Sequence, residues 1–117
     1  MDSSTATKKF QKELNAGTTA LILLDTLSKS DQPMYGYQIA KLLESNEINN
    51  MVMKQGTMYP VLRSLEENEL LISMVEPSVS GPPRRYYQIT PIGRTTLAEW
   101  LDIWLQTKNY VDSKLKG

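Results

Sequence analysis

The 117-residue chain contains no cysteine and no histidine, and Lys+Arg 13 balance Asp+Glu 13 to a formal net charge of zero. Without cysteine there is no disulfide framework, no thiolate nucleophile and no sulfur-ligated metal site. Without histidine the commonest general base and the usual zinc ligand are missing. Long apolar runs are missing too. Ala20–Leu24 is the longest, far short of the roughly 20 residues that a membrane span needs. Met1–Thr7 is small and polar, with no secretory signal. A cytoplasmic protein with no membrane partner is therefore expected. No Gly-rich phosphate loop, paired-carboxylate cleft or nucleophile–base pair is legible, so neither enzymatic activity nor a cofactor or metal is expected.

What is present suits one domain with a real core, because a chain of this length buries roughly two-thirds of its unfolded surface. Met1–Thr7 has too little apolar surface to order and reads as a disordered lead-in. Lys8–Asn15 is a short amphipathic stretch with Phe10 and Leu14, interrupted at Gly17. Thr18–Ser28 reads as a buried helix, striped by Leu21, Leu24 and Leu27. Tyr35–Ser45 is a second helix, with Ile39, Leu42 and Leu43 inward. A third covers about Gly56–Glu67 and turns Met58, Val61, Leu62 and Leu65 to one face. Pro60 argues for a start near Gly56, since proline is tolerated in the first turn. Leu70–Glu76 and Arg84–Thr90 read as strands of a β-hairpin around a Pro77–Pro83 tip. Thr90-Pro91 is a helix start, with the threonine oxygen as N-cap and proline at the first position. The last helix carries a heptad-spaced seam of Leu97, Leu101, Trp104, Lys108, Val111 and Leu115, broken once by the lysine.

Three short helices followed by a two-stranded wing define a winged helix-turn-helix, mostly α with a small β-hairpin, here with a long C-terminal helix. In such a fold the third helix sits in the major groove of DNA and the wing reaches the backbone or the minor groove. The zero net charge hides a local imbalance. Residues 79–95 hold Arg84, Arg85 and Arg94 with no acid, a net +3. Residues 55–78 hold Arg63 against Glu66, Glu67, Glu69 and Glu76, a net −3. The leading part of the third helix, with Lys54, Gln55, Thr57, Tyr59 and Arg63, offers the hydroxyl, amide and cationic groups used for phosphate positioning and base readout. An ordinary amphipathic surface helix fits the same pattern. Arg84 and Arg85 also fit a charged hairpin edge that discourages strand pairing. A winged-helix adaptor that binds protein rather than DNA is the alternative, motivated by the acidic 55–78 segment.

Three blocks sharpen the reading. Tyr35-Gly36-Tyr37-Gln38-Ile39, Gly56-Thr57-Met58-Tyr59-Pro60-Val61-Leu62-Arg63-Ser64-Leu65-Glu66 and Gly81-Pro82-Pro83-Arg84-Arg85-Tyr86-Tyr87-Gln88-Ile89-Thr90-Pro91-Ile92-Gly93 together resemble the PadR-like transcriptional regulators. The blocks stand in that family's order, within a stretch from about Gly17 to Leu105, and the single C-terminal helix resembles its small branch. The resemblance implies a homodimeric repressor on double-stranded DNA with a palindromic operator. It places Thr57, Tyr59 and Arg63 on the recognition helix, Tyr35 beside the DNA face, and Arg84 and Arg85 on the wing. The implied organisation is a lead-in over 1–7, a DNA-binding winged helix-turn-helix domain over 8–90 and a dimerisation helix over 91–117. Leu14, Leu21, Leu97, Leu101, Trp104, Val111 and Leu115 are the expected dimer interface. The chain departs from the family pattern twice. Lys54-Gln55 stands where a small hydroxyl residue is common, and Glu69 stands where glycine is common, which leaves Asn68 as a candidate for the left-handed terminator.

Trp100 and Trp104 lie four residues apart on one helix face. Aromatic pairs of this kind build interfaces. Some small PadR-like regulators stack flat aromatic compounds on a tryptophan of this helix, and Trp104 matches that position. A flat aromatic or phenolic effector is thus a candidate ligand for Trp100 and Trp104, with Asp102 a candidate partner for a cation.

Overall fold

The computed structural model describes residues 3–44 and 55–117. Its elements are α1 (Ser3–Ser28), β1 (Met34–Tyr35), α2 (Gly36–Glu44), α3 (Gln55–Glu67), β2 (Leu71–Glu76), β3 (Arg84–Ile89) and α4 (Pro91–Lys116). The order matches the expected winged helix-turn-helix with its appended helix. The wing is larger than a hairpin. β1 pairs antiparallel with the free edge of β3, giving a three-stranded sheet in the order β1-β3-β2. Tyr35, read from sequence as the first residue of the second helix, is in that strand.

Helix α1 corrects two expectations. Ser3–Thr7 are helical rather than a disordered lead-in, and the helix continues through Gly17. The flanking Lys8–Ala16 run is rich in strong helix formers, and a helix anchored by packing extends at little cost. A mid-helix glycine costs about 1 kcal/mol, less than breaking that continuity. The buried seam of α1 is Thr19, Leu23, Leu24 and Leu27, while Leu21 is half-buried and packs on the core from the side.

Leu23, Leu24, Ile39, Met58, Leu62 and Leu71 are fully buried, drawn from three helices and one strand. Each contributes about 2 kcal/mol of apolar burial. Helix α3 begins at Gln55, one residue earlier than expected, so Pro60 is its sixth residue and lies just past the first turn. Proline has no N–H to give, so the Gly56 carbonyl lacks its helical donor. Both residues are exposed, where water satisfies that oxygen at little cost.

The end of α3 fixes the wing. Leu70 N–H donates to Leu65 O at 2.9 Å and Glu69 N–H to Glu66 O at 2.9 Å, the paired bonds of a Schellman turn. The left-handed residue is Glu69, at φ 64°, and not Asn68. Asn68 instead sends its side-chain amide back to Ser64 O at 2.8 Å. Thr90 accepts from Gly93 N–H at 2.9 Å as the N-cap of α4, and its hydroxyl donates to Glu69 O at 2.7 Å. Gly93 packs directly on the Leu70 carbonyl, where a Cβ would collide with backbone. The start of α4 is thereby locked to the α3–β2 turn.

From Leu101 onward every residue of α4 is exposed. The radius of gyration is 16.2 Å, against about 13 Å for a compact chain of this length. The excess reflects α4 projecting beyond the domain from Leu101 onward, over an axial length of about 24 Å. Leu97 does not belong to this projecting part. It is buried in the protomer's own core, which removes it from the expected dimer interface.

Candidate nucleic-acid interface and interhelical groove

Tyr35 is the N-cap residue of α2. Its N–H donates to the Gln38 side-chain oxygen at 3.1 Å, the returning half of a capping box. The Tyr35 ring meets Tyr86 edge-on at 5.4 Å and stacks near Tyr37 at 6.4 Å. Arg84 lies over the same ring, its guanidinium carbon 4.5 Å from the centroid, in cation–π contact. From α3, the Tyr59 ring rests on Gly36, where any Cβ would strike it. Tyr59 nonetheless keeps 39% of its surface exposed. A continuous run, Tyr59–Gly36–Tyr35–Arg84, therefore joins the third helix to the wing through the start of α2.

Thr57 and Arg63 are exposed on α3. Lys54 lies outside the described residues, and so does the side chain of Gln55. Among the described residues the ion pairs are helical i,i+4 contacts, Lys9–Glu13, Lys29–Asp25 and Lys108–Asp112. None of them engages Arg63, Arg84 or Arg85, so these cations are not neutralised by direct pairing there. Arg94, counted from sequence with the basic wing, is elsewhere. It donates from Nη1 to Ser28 O at 3.2 Å, at the negative end of α1.

The two wing arginines lie on opposite faces of β3. Arg84 shares the outer face with Tyr86, and Arg85 the inner face with Tyr87, since strand neighbours alternate. Arg85 Nη1 donates to Ser73 Oγ at 2.9 Å, and that hydroxyl donates to Glu66 Oε2 at 2.6 Å. Sequence reasoning missed this connection, because Ser73 is unremarkable as a residue and Glu66 reads as a solvated acid. Tyr87 is buried beside the chain of contacts. Burial pushes its phenol above the usual value, with Glu66 and Tyr59 adding to the rise and Arg85 and Arg63 opposing it.

The second candidate site is a groove of about 590 Å³ between α1 and α4, floored by Leu14, Gly17 and Leu21 and walled by Trp100, Ile103 and Trp104. Trp100 is half-buried and packs on the core, while Trp104 is 41% exposed. Both tryptophans thus come together as expected. Asp102 is not among the lining residues and accepts from Gln106 Nε2 at 2.8 Å. The carboxylate at the groove is Glu13 of α1, which could be found only once α1 was known to run unbroken past Gly17. Leu101, Val111 and Leu115 continue as exposed apolar residues along α4.

Three helices, the last two forming a helix-turn-helix, with a wing tied back to them, define a winged helix-turn-helix protein. Residues 23–99 match the sequence model of the PadR-like family of transcriptional regulators. The chain belongs to that family and is a transcriptional regulator of the PadR class. Among solved structures, a PadR family transcriptional regulator from Eggerthella lenta superposes with a TM-score of 0.77 at 29% identity, covering 97% of this chain and 95% of its own. A PadR-like transcriptional regulator from Bacillus cereus gives a TM-score of 0.69 at 27% identity, covering 90% and 98%. A protein of Lysinibacillus sphaericus with no assigned function is 29% identical over 96 residues, 82% of this chain and 86% of that one. Among the described residues no helix is long and apolar enough to cross a membrane.

Proposed function

We propose that this regulator is a cytoplasmic homodimeric repressor that binds a palindromic DNA operator and is released by a flat aromatic effector. The observation that carries the DNA reading is the unbroken run from Tyr59 through Tyr35 to Arg84. It joins the recognition helix to the wing with aromatic groups and a cation that has no direct ion pair among the described residues. Thr57 and Arg63 supply base-edge and phosphate contacts from α3, and Arg84 supplies a phosphate contact from the wing. Gln55 opens the helix at its positive end, and Lys54 precedes it in sequence. The second copy packs along Leu14, Leu21, Leu101, Trp104, Val111 and Leu115, an apolar stripe too long for a monomer's surface. The effector stacks on Trp100 and Trp104, and Glu13 favours ligands that carry a positive charge.

The test is selection of duplexes from a random-sequence pool by the full-length protein, followed by fluorescence anisotropy over a salt series. A palindromic consensus is expected, with affinity falling steeply as salt rises. Absence of any enriched sequence at about 0.15 M salt rejects operator binding. Quenching of tryptophan fluorescence by ethidium or by ferulate reports on the groove. Quenching that persists undiminished in Trp104→Ala rejects the groove as its site.

A further inference from the structure

We infer that Arg85 is a positioning residue, which sets the angle of the wing against the recognition helix through Ser73 and Glu66, while Arg84 alone is the wing's phosphate contact. This inference rests on the DNA-binding reading above and divides the labour within it. The two arginines are adjacent in sequence, but the alternation of β3 sends them to opposite faces. Arg84 is on the outer face, braced by the Tyr35 ring at 4.5 Å. A cation on an aromatic ring keeps its N–H groups available for a further anion. Arg85 is on the inner face with one donor already committed to Ser73 at 2.9 Å, and the Ser73 hydroxyl in turn donates a hydrogen bond to the Glu66 carboxylate at 2.6 Å. The three residues come from β3, β2 and the last turn of α3. They cross-link both wing strands to the recognition helix beside the Schellman turn that joins α3 to β2. The Glu66 charge, relayed through one hydroxyl, also offsets Arg85 electrostatically and lowers its attraction for phosphate.

The two roles separate in a salt series. Each phosphate neutralised by a cation adds about one to the slope of log affinity against log salt, whereas a positioning residue changes affinity at constant slope. The probe is a duplex selected by the wild-type protein, read by fluorescence anisotropy. Arg84→Ala is expected to flatten the slope. Ser73→Ala, which changes no charge, is expected to lower affinity about tenfold with the slope retained, and Ser73→Thr, which keeps the hydroxyl, to restore it. Arg85→Ala is expected to match Ser73→Ala, and the double variant to bind no more weakly than Arg85→Ala alone, because residues in one network do not add. Circular dichroism melts confirm that each variant is folded, and Ser73→Thr keeps the test open if the alanine variants are not. The inference is overturned if Arg85→Ala flattens the slope as Arg84→Ala does, if the effects of the two single substitutions multiply, or if Ser73→Ala or Ser73→Thr departs from its expected affinity. If the wild-type protein selects no duplex, the DNA-binding reading falls and takes this one with it. If it selects one and the variants disobey, this inference alone falls.

Discussion

Glu69 holds a left-handed backbone at φ 64° that glycine adopts freely. A residue with a Cβ gives up on the order of 1 kcal/mol there. Glu69→Gly is expected to raise stability by about that amount, read as a higher midpoint in thermal or urea denaturation. An unchanged or lower midpoint would mean that the turn is not strained. Tyr87 supplies a pH-dependent counterpart. Its phenol titrates above the usual value of about 10, chiefly because it is buried. Between the unfolded and folded values the folded state holds the extra proton, so this contribution to stability is intact below about pH 10 and declines as pH rises through the folded pKa. Tyr87→Phe is expected to flatten the alkaline limb of a stability–pH curve. An identical limb in the variant would assign alkaline unfolding to another group.

At the scale of elements, three ties besides the Arg85–Ser73–Glu66 link hold the wing and the recognition helix. The Schellman turn joins α3 to β2, Thr90 and Gly93 seat α4 on that turn, and β1 fastens β3 to the start of α2. The Gly93 contact is backbone against backbone, so no rotamer change relieves a substitution. Gly93→Ala is expected to cost roughly 1–3 kcal/mol, measured by denaturant unfolding, and to loosen α4 relative to the wing. A neutral result would show that α4 docks there with room to spare. Much of this scale was legible in the sequence. Thr90-Pro91 marked the helix start, the Ile/Val/Tyr runs marked β2 and β3, and the 58, 61, 62, 65 spacing marked the inner face of α3. The strand β1 was not legible, because Met34–Tyr35 is only two residues long and has no alternation to read. Its partner strand, β3, lies far away in sequence.

For the whole molecule, α4 projects past the domain with Leu101, Trp104, Val111 and Leu115 exposed, and α1 lies alongside with Leu14. A dimer through this stripe is expected to sediment at twice the 13.3 kDa of the single chain, and Leu101→Glu to shift it toward monomer by burying an unpaired charge. A wild-type protein that sediments as a monomer at micromolar concentration would reject the dimer and with it the two-fold operator. The heptad seam was visible in sequence, but its inner boundary was not. Leu97 shares the spacing of Leu101 and Trp104 and yet is core, because the domain covers only the opening turns of α4.

Local physics, read residue by residue, settled the element types except for β1 and the first turns of α1, together with the helix cap at Thr90 and the resemblance to the PadR-like family. These depend on neighbours three or four positions apart, and such neighbours are printed in the chain. Three matters required the fold: that Arg84 and Arg85 face opposite ways with different partners, that Glu13 and not Asp102 stands at the tryptophan groove, and that Arg94 serves the end of α1 rather than the wing. Each depends on contacts between residues distant in sequence. Chain closure and packing, which no local pattern encodes, decide where a side chain ends and which charges meet.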